Sequence, residues 1–347
     1  MADSYEAILI VSFGGPEKPD EVLPFLENVL RKKNVPRERM LEVAEHYYRF
    51  GGVSPINSQI RDLIAVLRGE LSEHGLKMSI YWGNRNWHPL LPDTLRQMAS
   101  DGIRRALAFV TSAYSSYSSC RQYLEDIEQA RDEVGANAPV VDKLRPFFNH
   151  PGFIEPMIES LSAALAQVPA DRRPDAAIVY TAHSIPSSMA GTCQYEAQLN
   201  ETGRLVSEAL GLKRWRLVYQ SRSGLPSQPW LEPDVCDYLR EQHQQGQLPS
   251  DVVILPIGFV SDHIEVLFDL DTEAKALCEA LGVHMVRAAT SGSHPRFAQM
   301  IRQLVAERLG DVSDRLTLGN LGPSPDVCPT GCCALPSDKR PKSLKIG

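Results

Sequence analysis

The 347-residue sequence predicts an α/β protein built from two doubly wound, Rossmann-like parallel-sheet halves with a cleft between them. Three observations carry that expectation. Short apolar runs of strand length recur, most are followed by a longer stretch of helical period, and the alternation breaks once near the middle. The strand candidates are Ala7–Phe13, Met78–Trp82, Ala106–Thr111, Ala176–Thr181, Arg216–Gln220 and Val252–Phe259. Helical period falls on Pro19–Lys32, Glu38–Tyr48, Ile56–His74, Pro92–Ser100, Gln122–Val134, Phe153–Leu165, Glu196–Leu210, Glu265–Leu281 and Pro295–Leu309. Start and stop chemistry agrees, with Pro92-Asp93 and Asp234 ahead of helical runs and Gly75 and Gly211 just behind them. Strands joined through helices require crossovers, so the sheets should be parallel and covered on both faces. Around Pro139–Pro151 the segment Lys143-Leu144-Arg145-Pro146-Phe147 reads as the passage into a second series of strands. This divides the chain into an N-terminal half over 1–147, a C-terminal half over 148–318 and a cysteine-containing tail over 319–347, whose Lys-rich end, Ser337–Gly347, is expected to be mobile.

Composition narrows the function. With 43% hydrophobic and 23% charged residues the chain can bury a full core, which excludes disordered and fibrous classes. Its longest apolar stretch, Val252–Val260, is interrupted by Pro256 and Gly258 and falls far short of the roughly 18 residues of a membrane span. The acidic start, Met1 to Glu6, resembles neither a secretory signal nor a transit peptide, so a cytoplasmic location is expected. A formal charge of −7 argues against nucleic acid as a partner.

Polar residues cluster just past the strand candidates: Ser12, Asn84-Arg85-Asn86, Ser112, His183, Ser221-Arg222-Ser223 and Asp262-His263. In open α/β sheets the carboxyl ends of strands face the ligand crevice, so these residues should line one cleft. His183 stands at such a junction. A lone histidine is as often simply satisfied in place, but Ser261-Asp262-His263-Ile264-Glu265 adds an imidazole and two acids at another strand end. Glu265 is either a partner in that chemistry or a charge at a helix start. Glu265, Asp269 and Glu273 recur every four residues, so a regular helix would stack three carboxylates on one face. Such a row favours a cation, and without strict ligand spacing it suits the passage of a metal better than a fixed metal site. No G-x-S-x-G, Walker, H-E-x-x-H or G-x-G-x-x-G pattern is present, which removes the usual support for hydrolase, nucleotide-driven and dinucleotide chemistry. Gly14-Gly15, after the first strand, reads as a close backbone approach to a ligand.

Leu9–Pro16, Tyr48–Asn57, Thr181–Pro186, Tyr219–Gly224, Trp230–Pro233 and Pro256–Glu265 together resemble the ferrochelatases, in the same order along the chain and over about residues 5 to 310. Gly83–Trp87 and Ser115–Asp126 narrow the resemblance to actinobacterial-type coproporphyrin ferrochelatases. The resemblance implies a chelatase-like fold and insertion of Fe(II), as substrate, into coproporphyrin III with loss of two protons. Protoporphyrin IX is the alternative substrate, and a non-catalytic tetrapyrrole carrier the alternative class. By the same resemblance His183 and Glu265 are the catalytic pair and metal contacts, with His263 and Asp269 as a relay behind them. Ser54 and Tyr123 match propionate contacts, although Ser54 also precedes Pro55 and suits a helix cap. Phe13 stands where some relatives carry tyrosine and others methionine, and a phenyl ring neither ligates iron nor donates a hydrogen bond. Arg49, Arg85 and Arg222 are cations for a four-propionate ligand, with surface pairing as their ordinary alternative. A monomer is expected.

Seven cysteines without a signal peptide are expected to stay reduced. Cys328, Cys332 and Cys333 crowd into the tail, and by the resemblance they bind a [2Fe–2S] cluster together with an internal thiol, Cys120 or, in reserve, Cys193. The same thiolates can hold a tetrahedral zinc. Cys236 and Cys278 read as buried structural residues.

Overall fold

Every apolar run expected as a strand forms one in the computed structural model, which describes residues 5–31, 35–223 and 227–335. Lys32, Gly224 and Ser337–Gly347, which belong to expectations above, lie outside the described residues. The first sheet contains β1 (Ala7–Ser12), β2 (Ser79–Asn84), β3 (Arg105–Val110) and β4 (Val140–Lys143), all parallel, in the order β2-β1-β3-β4. The second repeats this topology with β5 (Ala177–His183), β6 (Arg216–Gln220), β7 (Asp251–Leu255) and β8 (His284–Arg287), in the order β6-β5-β7-β8. All six residues of β1 are buried, as a central strand covered on both faces requires.

The first half carries α1 (Val22–Leu30), α2 (Arg37–Arg49), α3 (Ile56–Glu73), α4 (Leu91–Ser100) and α5 (Gln122–Val134). The second carries α6 (Pro151–Ala166), α7 (Ser187–Ala190), α8 (Tyr195–Ala209), α9 (Val235–Gln244), α10 (Ile264–Val266), α11 (Lys275–Ala280) and α12 (Pro295–Leu309). Asp234 caps α9 as its sequence position predicts, its side chain accepting from the Cys236 N–H at 2.8 Å. α12 does not stay with its own sheet. It packs on both α6 and α3, and Arg302 of α12 pairs with Glu70 of α3 at 2.6 Å. One apolar core therefore runs through both halves: across the passage between them Phe109 stacks on Phe147, and Phe153 and Phe297 meet these rings edge to face.

Three expectations need correction. β4 and β8 were not anticipated: each is four residues long and lies at a sheet edge, too short to register as a strand-length apolar run. β7 ends at Leu255 rather than Phe259, because the backbone turns at Pro256–Gly258 although the side chains stay apolar. The helix expected over Glu265–Leu281 is three pieces: α10, a π-helical stretch over Leu267–Ala274, and α11. A π-turn spaces neighbours wider than the α-period, so Glu265, Asp269 and Glu273 do not form a regular α-helical ladder.

Candidate active site

His183 is the last residue of β5 and is only half-buried, so its ring reaches the crevice. Its Nδ1 lies 2.5 Å from the Ser184 carbonyl. A carbonyl only accepts, so Nδ1 carries a proton and Nε2 is the nitrogen turned toward the crevice. The Tyr195 hydroxyl donates to the His183 carbonyl at 3.0 Å and fixes the backbone beneath the ring.

Glu265 arrives from β7 through a loop whose path depends on Gly258. Gly258 donates its N–H to Thr181 O at 3.0 Å, and a Cβ there would fall 2.6 Å from Ala182 Cα, so only glycine lets the loop lie against β5. The first half also grips this loop: the Tyr114 hydroxyl donates to Ile257 O at 2.8 Å, and the Asp262 N–H donates to Gln59 Oε1 at 2.9 Å. As a result Glu265 Oε2 sits 3.7 Å from His183 Nε2 and 3.9 Å from His263 Nδ1. The Glu265 side chain is 48% exposed and that of His183 34%, so the pair is open to a ligand. Burial lowers the affinity of His263 for a proton, outweighing the opposing pull of Glu265, and keeps the ring neutral.

Asp269 lies one turn further on. Its Oδ2 accepts from Gln220 Nε2 at 3.2 Å and from the Ser221 hydroxyl in a shorter bond. Burial, helped by the charges of Glu265 and Glu273, pushes its carboxyl up to about 7 against the relief these donors give. Ser221 takes a left-handed φ of 61°, a conformation rare for a non-glycine residue, in the turn that delivers its hydroxyl.

The first half supplies the facing wall. Phe13 is 37% exposed beyond β1 and touches Phe25, which touches Tyr47, and Tyr47 lies close enough to Glu265 to feel its charge. Gly14 has φ 81°, and a Cβ on Gly15 would strike Ser54 Cβ at 2.7 Å, so the two glycines bring the strand-end loop tightly onto Ser54. Pro55, not Ser54, is the N-cap of α3, and the helix has no side-chain cap, so the capping alternative for Ser54 is not realised. Tyr123 lies beneath the Arg85 guanidinium, 4.4 Å from ring centroid to Cζ, and Arg85 is ion-paired with Asp126. Arg49 stacks over Phe268 at 5.5 Å, and His46 stacks flat on the same ring at 3.6 Å, joining α2 to the π-turn. Arg222 pairs with exposed Glu232 at 3.6 Å and donates to Gln228 O. Sequence reasoning missed Tyr114 and Gln59, because only the folded proximity of the two halves gives them a partner, and Gln220, whose partner Asp269 lies 49 positions away in the same half.

The tail builds a second constellation. Cys332 and Cys333 have their sulfurs 3.7 Å apart, Cys328 lies close enough to Cys120 and Cys332 for the thiols to act on one another, and all four are free thiols. The Cys328 contact, with burial behind it, pushes the Cys120 thiol up, while the same contact draws Cys328 down. Cys120 occupies a π-turn over Tyr117–Arg121, and Cys333 takes a left-handed φ of 52°. Cys193 stands nearby, but its thiol is directed to the carbonyls of Met189 and Ala190 at 3.3 and 3.5 Å. Among the described residues no three histidine, cysteine or acidic side chains converge as a site for a single metal ion. Among them also no helix is long and apolar enough to cross a membrane.

The fold defines the class: this is a chelatase architecture. The sirohydrochlorin chelatase SirB of Bacillus subtilis subspecies spizizenii, solved with cobalt, superposes with a TM-score of 0.53 at 11% identity, over 89% of this chain and 97% of that one. CbiX, a terminal enzyme of sirohaem biosynthesis in denitrifying bacteria, gives 0.50 at 14% identity over 87% and 99%. Sequence narrows the class: the ferrochelatase family profile matches residues 5–309, and the chain belongs to that family. A ferrochelatase of Rhodopirellula baltica is 59% identical over 97% of this chain and 95% of its own. The coproporphyrin III ferrochelatases of Streptomyces coelicolor and Nocardia farcinica are 51% and 48% identical over 96% and 95% of this chain and 94% and 96% of their own. The protein is thus a metal chelatase of haem biosynthesis, a lyase whose substrates are a porphyrin and ferrous iron.

Proposed function

We propose that the porphyrin is coproporphyrin III and that the product is Fe-coproporphyrin III, with two protons released. The reaction rests on one observation, the 3.7 Å meeting of His183 Nε2 with the Glu265 carboxylate. The choice of porphyrin is supported by relatives of that specificity about half identical over nearly their whole length. His183 Nε2 makes first contact with the incoming metal or takes a pyrrole proton, and Glu265 accepts the other proton or steadies the ion. His263 and Asp269 pass protons away from the slot; a carboxyl near 7 both takes and gives a proton at neutral pH. Ser54 and Tyr123 hold propionates, Arg49 and Arg222 supply positive charge at the rim, and Phe13 presents an apolar face that cannot ligate iron. Protoporphyrin IX stays as the second reading, because the 59% relative carries only the broader name. Anaerobic iron insertion with the two porphyrins compared tests the choice: a higher kcat/KM for protoporphyrin IX overturns it.

The thiols of Cys120, Cys328, Cys332 and Cys333 fit a [2Fe–2S] cluster. Its four thiolates divide between two irons and need not converge on one point as zinc ligands must. When bound, the cluster supplies a one-electron redox centre. Anaerobically purified protein should absorb in the visible, and Cys120→Ser should bleach it while Cys193→Ser does not; colourless protein with stoichiometric zinc rejects the cluster. The halves 1–147 and 148–318 and the tail 319–347 are the organisation we propose, in a cytoplasmic monomer, and light scattering on the purified chain tests the last point.

A further inference from the structure

We propose that Lys143 is the built-in counter-charge of the four-thiol site. The inference rests on the cluster reading above and concerns a residue that reading does not use. Lys143 ends β4, and strand alternation sends it and Asp142 to opposite faces. Asp142 turns to Arg105, Arg308 and the Tyr5 hydroxyl. Lys143 turns inward and is only 9% exposed. Its Nζ donates to the Leu144 carbonyl at 2.9 Å, and it lies close enough to the thiols of Cys120 and Cys328 for its charge to act on both.

Among the described residues no carboxylate pairs with Lys143. A buried ammonium without an anion is costly, and it persists where an anion is meant to be. The second cation near Cys328 is Arg121, but Glu125 holds it at 3.0 Å. Among the described residues Lys143 is the cation beside the thiols whose charge no acid compensates. Four thiolates on two irons bridged by two sulfides carry a net negative charge that grows by one on reduction, so a fixed cation beside them favours the reduced state.

The test is a redox titration of anaerobically purified protein, followed by visible absorption and electron paramagnetic resonance. Lys143→Met removes the charge and keeps the stem, Lys143→Gln removes the charge and keeps a donor, and Lys143→Arg keeps the charge. Both neutral variants should raise the oxidised-to-reduced ratio at a fixed poise about tenfold, a fall of about 59 mV for a one-electron couple, while Lys143→Arg stays near the wild type. An intact cluster whose potential does not move in Lys143→Met or Lys143→Gln overturns this proposal and leaves the cluster reading standing. A Lys143→Gln potential equal to the wild type beside a shifted Lys143→Met also overturns it, since a hydrogen bond and not the charge would then be responsible. Wild-type protein that holds no cluster overturns both.

Discussion

The two halves share one strand order, and their strand ends do different work. The first offers a wall: Phe13 packed on Phe25, Ser54 pressed against Gly15, and Tyr123 under an Arg85 already neutralised by Asp126. The second offers titratable groups, His183, Glu265, His263 and Asp269, partly buried, mutually close and delivered by a glycine-dependent loop and a π-turn. Repeating a topology repeats the position of a crevice but not its chemistry. Binding and proton handling can then change separately, because they lie on different sheets.

The largest test of that division is His183→Ala. Iron insertion should fall about 1,000-fold or more while the porphyrin dissociation constant, read by fluorescence quenching, stays within about threefold. Equal loss of binding would mean the second half is also the seat of affinity. Glu265→Gln keeps the shape and removes the charge, and kcat should drop about 100-fold in stopped-flow assays with KM for porphyrin little changed. Gly258→Val drives a side chain into Ala182; thermal unfolding should show a loss of about 1–3 kcal/mol, and activity should fall with it because the loop carrying Glu265 is displaced. On the opposite wall, Ser54→Ala should raise KM for porphyrin about five- to tenfold, close to the ~1 kcal/mol of one hydrogen bond, and leave kcat unchanged.

The smallest expected effect at neutral pH concerns the passage between the halves. His150 is fully buried, caps α6 by accepting from the Gly152 N–H, and is pushed by burial, with help from the Arg145 charge, down to about 3. Its folded form refuses a proton that the unfolded chain accepts below about 6.5. Stability from this group is therefore complete above that value and is lost as pH falls toward 3, by up to about 1.4 kcal/mol per pH unit. His150→Ser, which keeps a capping oxygen, should flatten that slope in urea melts at pH 4 to 6 while changing little at pH 8.

How far the sequence could be read follows from the range of the forces involved. β1, β5 and β7 are legible because central strands are apolar on both faces, and His183 is legible because it ends one of them. β4 is not: Val140-Val141-Asp142-Lys143 is too short and too charged, and nothing in those four residues signals that the lysine is buried. The π-helical stretch Leu267–Ala274 has the sequence of an ordinary helix, since a short wide-turned segment blurs the apolar period without breaking it. Ser54 and Glu265 could be singled out, but not the bonds from Gln59 and Tyr114 that bring the catalytic loop to the first half, each spanning more than a hundred residues of chain.

Arg145 and Glu307 form an ion pair whose side chains are 1% and 4% exposed, and 162 positions of chain separate them. A ribosome that has released the first sheet has not yet made the acid that neutralises that guanidinium, nor the helix that covers α3. A nascent or prematurely terminated chain ending before Glu307 thus keeps a bare cation in its interior and an open apolar seam, and it is marked for chaperones or proteases until the last helix emerges.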